Sequence, residues 1–271
     1  MKIFATNLSA LMPEGIALPS ELIAAFDWLE DQGWHQTRGT GAPEEHTLLI
    51  YPPEHQNHPV ASHVAFGGTT LPYTGHWSAP DPQVDARIAE IGETSGDGGR
   101  VAIWLDDNGK QQFVHIGHDS LGVITDDPLV LLQFLAMGYP EPGSLVRSDI
   151  TPVAAYLEYH GVVRLEDFGP KEQPVFPVAF QGFLKERFDL DMPATARDLE
   201  IADFPEYGDD TTSDPFARWI NEATPEPSEA DLAYEMELMR TIEALDLKDD
   251  DSSETIMGKI GSLFKSKDNK E

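Results

Sequence analysis

Several histidines stand close enough together in the sequence to suggest a metal site. His55, His58 and His63 fall within nine residues, and His46 precedes them. Imidazole nitrogens bind zinc, and a zinc ion with an open coordination position activates water for hydrolysis. A site also needs ligands that converge and partners that orient each ring, and the proline-flanked run around the first two gives no sign of either. We therefore predict no metal and no cofactor, and a metal-dependent hydrolase is one alternative function.

A second group of reactive side chains consists of His115, His118, Asp119 and Ser120, which nominally supply the base, acid and nucleophile of a hydrolase. Neighbouring residues in a strand and turn point in different directions, so we expect these side chains not to converge. The run GHDSLG (117–122) also has a histidine where a nucleophile elbow needs its first glycine. The chain has no cysteine, which excludes cysteine nucleophiles and disulfides. We predict that the protein is not an enzyme.

An acidic loop with two aromatic residues is the best candidate for a binding site. Carboxylates around exposed aromatic side chains are typical of a hot spot for a basic partner. The alternative is a solvated loop whose aromatic residues are anchored in the core. The predicted partner-binding residues are Asp203, Phe204, Glu206, Tyr207, Asp209, Asp210 and Asp214.

The charge balance limits the classes of partner. The chain carries 18 Lys and Arg against 48 Asp and Glu, a formal net charge of -30. Such a surface repels nucleic acid and anionic membranes and attracts basic proteins, although acidity also serves solubility alone. The start of the chain lacks the apolar run of a signal peptide, and no stretch reaches the roughly 20 apolar residues of a membrane span. We predict a cytoplasmic protein with a basic protein partner, no nucleic acid and no membrane span.

The centre of the chain predicts a β-hairpin. A glycine-rich run, SGDGGR (95–100), lacks the Gly-Lys-Ser/Thr ending of a phosphate-binding loop and reads as the entry to a strand. Apolar residues alternate along the strand-like run 100–105, and Asp-Asn-Gly at 107–109 supplies a tight turn. A further strand is predicted at 122–125.

Helices and shorter strands surround this hairpin. Strands are expected at 46–52 and 58–67, and a short helical piece around Arg87–Ile91. The helix that starts at Asp127 has that residue as its N-cap and a proline at its first position. Further helices are predicted at 18–34, 150–161, 176–189 and 214–223, the last again opening with Asp-Pro. These elements predict an α+β domain over 1–224 with a central antiparallel or mixed sheet, followed by a helical, acidic tail over 225–271.

The central residues resemble a known superfamily. The stretch RVAIWLDDNGKQQFVHIG, followed by GVIT and by a helix ending in FLAMGY, is similar to the central sheet and helix of the SUKH superfamily, the Smi/Knr-type proteins. The later FLKERFDLDMP and DPFARWINEA resemble the C-terminal part of bacterial members, so the resemblance covers roughly residues 85–222. Residues 1–84 depart from the usual opening, because the Gly-Gly pair comes late, at Gly67-Gly68.

The resemblance implies a binding scaffold without catalytic residues. Bacterial members are typically immunity proteins that neutralise a toxin, often a nuclease or deaminase, and the fungal branch regulates cell-wall synthesis. Likeness of fold does not by itself give function. The leading hypothesis is therefore an immunity protein that occludes a basic toxin stoichiometrically. The alternatives are a regulatory or scaffold SUKH protein with a host partner, and the metal-dependent hydrolase.

Overall fold

The computed structural model describes residues 2–37, 46–56, 58–68, 81–117, 119–144, 147–169 and 173–223. These residues belong to one compact unit, residues 1–224. The predicted tail, 225–271, lies outside the described residues, and both the tail and its boundary with the domain remain predictions.

A seven-stranded sheet forms the centre of the fold, and its spatial order is the order of the chain. Each strand pairs antiparallel with the next, as in a meander. The predicted α+β class with a central sheet is confirmed. The strands are β1 (His35–Thr37), β2 (His46–Leu49), β3 (Ala65–Phe66), β4 (Ile88–Glu93), β5 (Arg100–Leu105), β6 (Gln111–Ile116) and β7 (Leu121–Thr125).

Seven α-helices accompany the sheet in the described part of the chain. The predicted start of the fourth is confirmed, because Asp127 Oδ1 accepts a hydrogen bond from Leu129 N–H at 2.8 Å and Pro128 takes the first position. Among the residues described, no helix combines the length and hydropathy needed to cross a membrane. The helices are α1 (Ile3–Leu11), α2 (Ser20–Gln32), α3 (Pro82–Asp85), α4 (Pro128–Ala136), α5 (Pro152–Tyr159), α6 (Val178–Phe188) and α7 (Pro215–Ala223).

The predicted central hairpin is confirmed as β5 and β6. The two strands pair without interruption from Arg100 opposite Ile116 to Leu105 opposite Gln111. Asp106 shapes the turn, since its Oδ1 accepts hydrogen bonds from the N–H groups of Asn108 at 2.9 Å and Lys110 at 2.8 Å. The hairpin therefore forms from local signals that the sequence contains.

The main core lies on one face of this hairpin. Side chains from five helices meet those of the central strands there, and each buried Leu or Phe contributes about 1.5–3 kcal/mol. The helical members include Phe4, Leu8, Leu22, Phe26, Leu131, Phe134, Phe180 and Leu184, and the strand members include Leu48, Phe66, Val101, Ile103 and Phe113.

A second, smaller core occupies the other face of the hairpin. Trp104 and Val114 alternate with the residues of the main core, so they point to the opposite side of the sheet. Helix α7 packs on them through Phe216 and Ile220, both buried. The rings of Trp104 and Phe216 have centroids 5.2 Å apart. The sheet is thus covered on both faces near β7.

Two predicted elements differ from the structure. The helix expected around Arg87–Ile91 is wrong, because these residues enter β4, where Ile91 joins the main core and Ile88 the second core. Because β4 is buried on both faces, it lacks the alternation of apolar and polar residues that marks a strand in the sequence. The strand expected at 58–67 is largely loop, and only Ala65 and Phe66 pair in the sheet.

Candidate partner-binding surface

All seven predicted partner-binding residues lie in one segment beside the edge strand β7. Alternate turns of a meander lie at the same end of the sheet. The β4–β5 turn therefore lies at the same end as the β6–β7 turn. The segment 203–214 runs along β7 at this end, and we call it the acidic strap.

Backbone hydrogen bonds fix the strap to the sheet edge. Leu121 N–H donates to the carbonyl of Pro205 at 3.2 Å, and Tyr207 N–H donates to the carbonyl of Asp119 at 2.9 Å. Ser120 and Glu206 form an antiparallel bridge between these two bonds. An exposed edge strand would offer unpaired amides to other chains, and the strap covers them here.

Asp214 joins the strap, the edge strand and helix α7 through one carboxylate. Its Oδ2 accepts a hydrogen bond from Val123 N–H at 2.9 Å. Its Oδ1 accepts from Phe216 N–H at 2.9 Å and Ala217 N–H at 2.8 Å, which caps the helix. This residue has a structural role, and its contribution to partner binding remains a prediction.

Phe204 turns inward and packs on a buried histidine. It is buried, and its ring centroid lies 4.9 Å from that of His115 with the planes at 31°. It therefore anchors the strap to the core. For this residue the alternative interpretation holds, in which the aromatic residues of a solvated loop are anchored in the core. Tyr207, the other aromatic residue, remains exposed.

Tyr207 stands at the corner of a tight turn. Asp209 N–H donates to the carbonyl of Glu206 at 3.2 Å, and Gly208 has φ of 81°, a backbone conformation that favours glycine. The Tyr207 side chain is 36% exposed. Glu206 and Asp210, its acidic neighbours in the sequence, are exposed, and Asp209 is half-buried.

Two of the acidic side chains are held by neighbouring hydroxyl groups. Asp203 Oδ1 accepts from the Oγ and the N–H of Ser148, each at 2.7 Å, and these bonds hold the pKa of the Asp203 carboxyl below its usual value. Asp209 Oδ1 likewise accepts from the Oγ1 and N–H of Thr211, which lowers the pKa of the Asp209 carboxyl. Both therefore keep their negative charge at neutral pH. Of the seven predicted partner-binding residues, Asp203, Glu206, Tyr207 and Asp210 are exposed.

The structure brings together two of the four residues considered for hydrolysis. Ser120 Oγ lies 3.3 Å from Nε2 of His115, so the expectation that their side chains point apart is wrong for this pair. The imidazole is only 1% exposed, and burial lowers the pKa of His115 to about 4. A general base works best with a pKa near the operating pH, which this one does not have. His118 lies outside the described residues.

Of the histidines considered for a metal site, His46 begins β2, and His55, His58 and His63 lie in the loop between β2 and β3. The rings of His55 and His58 are 6.3 Å apart, and Nδ1 of His58 accepts from Val60 N–H at 3.2 Å. Nε2 of His63 lies 3.9 Å from a Glu93 carboxylate oxygen. Within the described ranges, no group of three or more His, Asp or Glu side chains is arranged to hold a metal ion.

Sequence reasoning missed a neighbouring surface at the end of α5. Oε1 of Glu141 accepts hydrogen bonds from Gly96 N–H at 3.0 Å and from the Tyr159 hydroxyl at 3.2 Å. These contacts link the turn after β4 to the end of α5, far apart in the sequence. The only local signal is the apolar run after Gly161, where Val162 and Val163 follow a helix that has already ended.

Comparisons with protein-family models, with curated proteins and with solved structures found no match. The resemblance to the SUKH superfamily therefore remains a prediction from the sequence motifs.

Proposed function

We propose that this chain is a non-catalytic binding protein whose acidic strap takes up a basic protein partner. The observation that carries the proposal is the turn at Tyr207, where an exposed aromatic side chain has acidic neighbours in the sequence on a backbone fixed to β7. A backbone that is already ordered loses little conformational freedom on binding. Aromatic anchors ringed by complementary charge are typical of interface hot spots.

We further propose that the protein is an immunity protein that neutralises a basic toxin of the nuclease or deaminase type. The support is the resemblance of residues 85–222 to bacterial SUKH members, together with the net charge of -30. Occlusion of the toxin's active site or substrate-binding face requires a stoichiometric complex and no chemistry from this chain. The protein would act in the cytoplasm, needs no cofactor, and binds neither nucleic acid nor membrane.

Capture of the partner followed by a toxicity assay tests this function. The full chain, immobilised as bait in extract of its own cells and of neighbouring competitors, should retain a basic protein that is identified by mass spectrometry. That protein should arrest growth when expressed alone, and equimolar co-expression of this chain should restore growth. A captured partner that is harmless, or that is suppressed at far below equimolar amounts, contradicts the immunity function.

A matched pair of double variants separates the strap from the overall charge. Glu206→Lys with Asp210→Lys changes the strap, and Glu14→Lys with Glu186→Lys makes the same change of net charge at exposed positions outside the strap. We expect the strap variant to lose protection and the control to keep it. Equal loss in both variants would mean that net charge, not the strap, determines binding.

A further inference from the structure

We propose that the end of α5 and the turn that follows it form a second contact surface for the same partner. This surface contacts an apolar side chain of the partner that is flanked by lysine or arginine. This surface consists of Tyr159, Val163 and Leu165, and we call it the α5 patch. The inference rests on the proposed function, since it assumes a basic protein partner.

Exposed apolar side chains are concentrated in the α5 patch. Tyr159 is 58% exposed, Val163 81% and Leu165 37%, and they lie within seven residues of the chain. The other large apolar side chains exposed in the described part of the protein are Ile3, Val178 and Tyr207, each alone in its segment. Scattered single residues need no explanation, whereas neighbouring exposed apolar residues mark interaction surfaces.

One member of the patch, Tyr159, packs against a group of aromatic residues. The Tyr159 ring packs edge-on to that of His160, with centroids 5.1 Å apart and planes at 74°. The His160 ring in turn packs on the buried Tyr156 and Phe168, at 6.3 Å and 5.3 Å. The hydroxyl of Tyr159 is held by Glu141. A tyrosine restrained in this way offers contact area at little entropic cost on binding.

Two carboxylates, those of Glu141 and Asp97, act on the exposed tyrosine. Partial burial, Glu141 and Asp97 together raise the pKa of Tyr159, because the two carboxylates disfavour a further negative charge there. Two arginines of the described residues nearby are paired with carboxylates, Arg147 with Glu158 at 3.0 Å and Arg164 with Asp167 at 3.7 Å. The same field attracts lysine or arginine beside the apolar side chain that contacts the patch.

The segment that follows Glu141 approaches the histidine on which the acidic strap packs. Gly143 N–H donates to the carbonyl of Thr94 at 3.2 Å, two residues from Glu141. A Cβ at Gly143 would lie 2.8 Å from Cε1 of His115, the residue on which Phe204 of the strap packs. A stable complex buries about 800 Å² on each partner, an area large enough to include more than one such patch.

The test uses short synthetic peptides and the full chain. One fluorescent peptide carries alternating arginine and leucine, the second replaces leucine by serine, and the third replaces arginine by glutamate. Binding is measured by anisotropy at physiological salt for the wild type, for Tyr159→Ser with Val163→Ser, and for the control Ile3→Ser at another exposed apolar position. Val163→Ser alone serves as a second variant in case the double variant fails to fold.

We expect the first peptide to bind about tenfold more tightly than the second, and the third not to bind. The patch variants should lower the affinity for the first peptide to that for the second, and Ile3→Ser should change neither. One outcome would overturn this inference alone: the patch variants bind the first peptide as the wild type does, while the strap variant Glu206→Lys with Asp210→Lys binds it more weakly. The α5 patch is then not a contact, and the proposed function stands. If neither basic peptide binds the wild type, the proposed function fails and this inference fails with it.

Discussion

Asp214 accepts a hydrogen bond from the N–H of Val123, 91 residues earlier in the chain, while its other oxygen caps helix α7. One side chain thus closes the edge of the sheet and starts the helix that covers its second face.

Substitutions at Asp214 should separate these two contributions. Asp214→Ala loses the cap, about 1 kcal/mol, and leaves the Val123 amide without its acceptor, about 1–3 kcal/mol more. Asp214→Asn keeps one oxygen for the cap, although it places an amide NH₂ group where Val123 needs an acceptor. Because the cap is kept, its loss of stability should be smaller than that of Asp214→Ala. Urea unfolding measures both, with Asp127→Ala at the cap of α4 as the control for a cap alone. Equal losses in Asp214→Ala and Asp127→Ala would show that the contact with Val123 contributes nothing.

Acidification should destabilise the fold through His115. The pKa of this group is about 4 in the folded chain and 6.5 in an ordinary environment, so the unfolded chain binds the proton more readily. The stability that depends on a neutral His115 is fully present above pH 6.5 and is lost as pH falls towards 4. The loss between pH 7 and pH 4.5 should be about 2–3 kcal/mol.

The difference in pH dependence between variants isolates this histidine from the titrating carboxylates. Urea midpoints of the wild type and of His115→Gln are compared over that pH range, with His35→Gln, at an exposed position, as the control. The His115 variant should lose less stability on acidification than the other two. Parallel pH profiles for all three proteins would contradict a neutral, buried His115.

Gly143 should not tolerate even a methyl group. A Cβ there would lie 2.4 Å from Oγ1 of Thr94 and 2.8 Å from Cε1 of His115, and both side chains are buried. Gly143→Ala should therefore cost about 1–3 kcal/mol through overpacking. Gly182→Ala is the control, since nothing lies within 4 Å of its Cβ in helix α6, and alanine there should add about 0.5–1 kcal/mol. In thermal unfolding, Tm should fall for Gly143→Ala and rise for Gly182→Ala. An unchanged or raised Tm for Gly143→Ala would show that the site has room for a methyl group.

Salt should act mainly on the rate at which the partner associates. Long-range attraction by a chain of net charge -30 is screened within about 8 Å at physiological ionic strength, whereas desolvated anchors are not. The association rate constant should fall steeply with salt while the dissociation rate constant stays nearly flat. Charge reversal at Asp209 and Asp210 should slow association, and Tyr207→Ala should mainly speed dissociation. Stopped-flow measurements with the captured partner test both effects, and an association rate indifferent to salt would mark the acidity as a solubility trait.

The elements that the sequence predicts well are those held by local signals. The hairpin turn at Asp106 and the cap at Asp127 use hydrogen bonds within four residues of the chain. The segment 58–67 depends instead on distant contacts, since Ser62 N–H donates to the hydroxyl of Tyr51, which itself donates to the carbonyl of Val175. No local pattern encodes such contacts.

The candidate site shows the same division. The acidic strap was identifiable from its composition, but the inward side of Phe204 follows from its contact with His115, which is 89 positions earlier. The α5 patch depends on Glu141 and Gly96 meeting across 45 residues. The sequence could therefore suggest which residues form the surface, but not which of them remain exposed.

The meander has a consequence for synthesis of the chain. Because every strand pairs with its immediate neighbour, the sheet can assemble in order as the chain leaves the ribosome, with few long loops to close. The strap and α7 are the last of the described elements to emerge, and until then the edge of β7 and the apolar face around Trp104 lack the contacts that these two elements supply. A nascent chain stalled before residue 203 therefore presents both an open strand and an apolar face, the features that make unfinished chains aggregate and recruit chaperones.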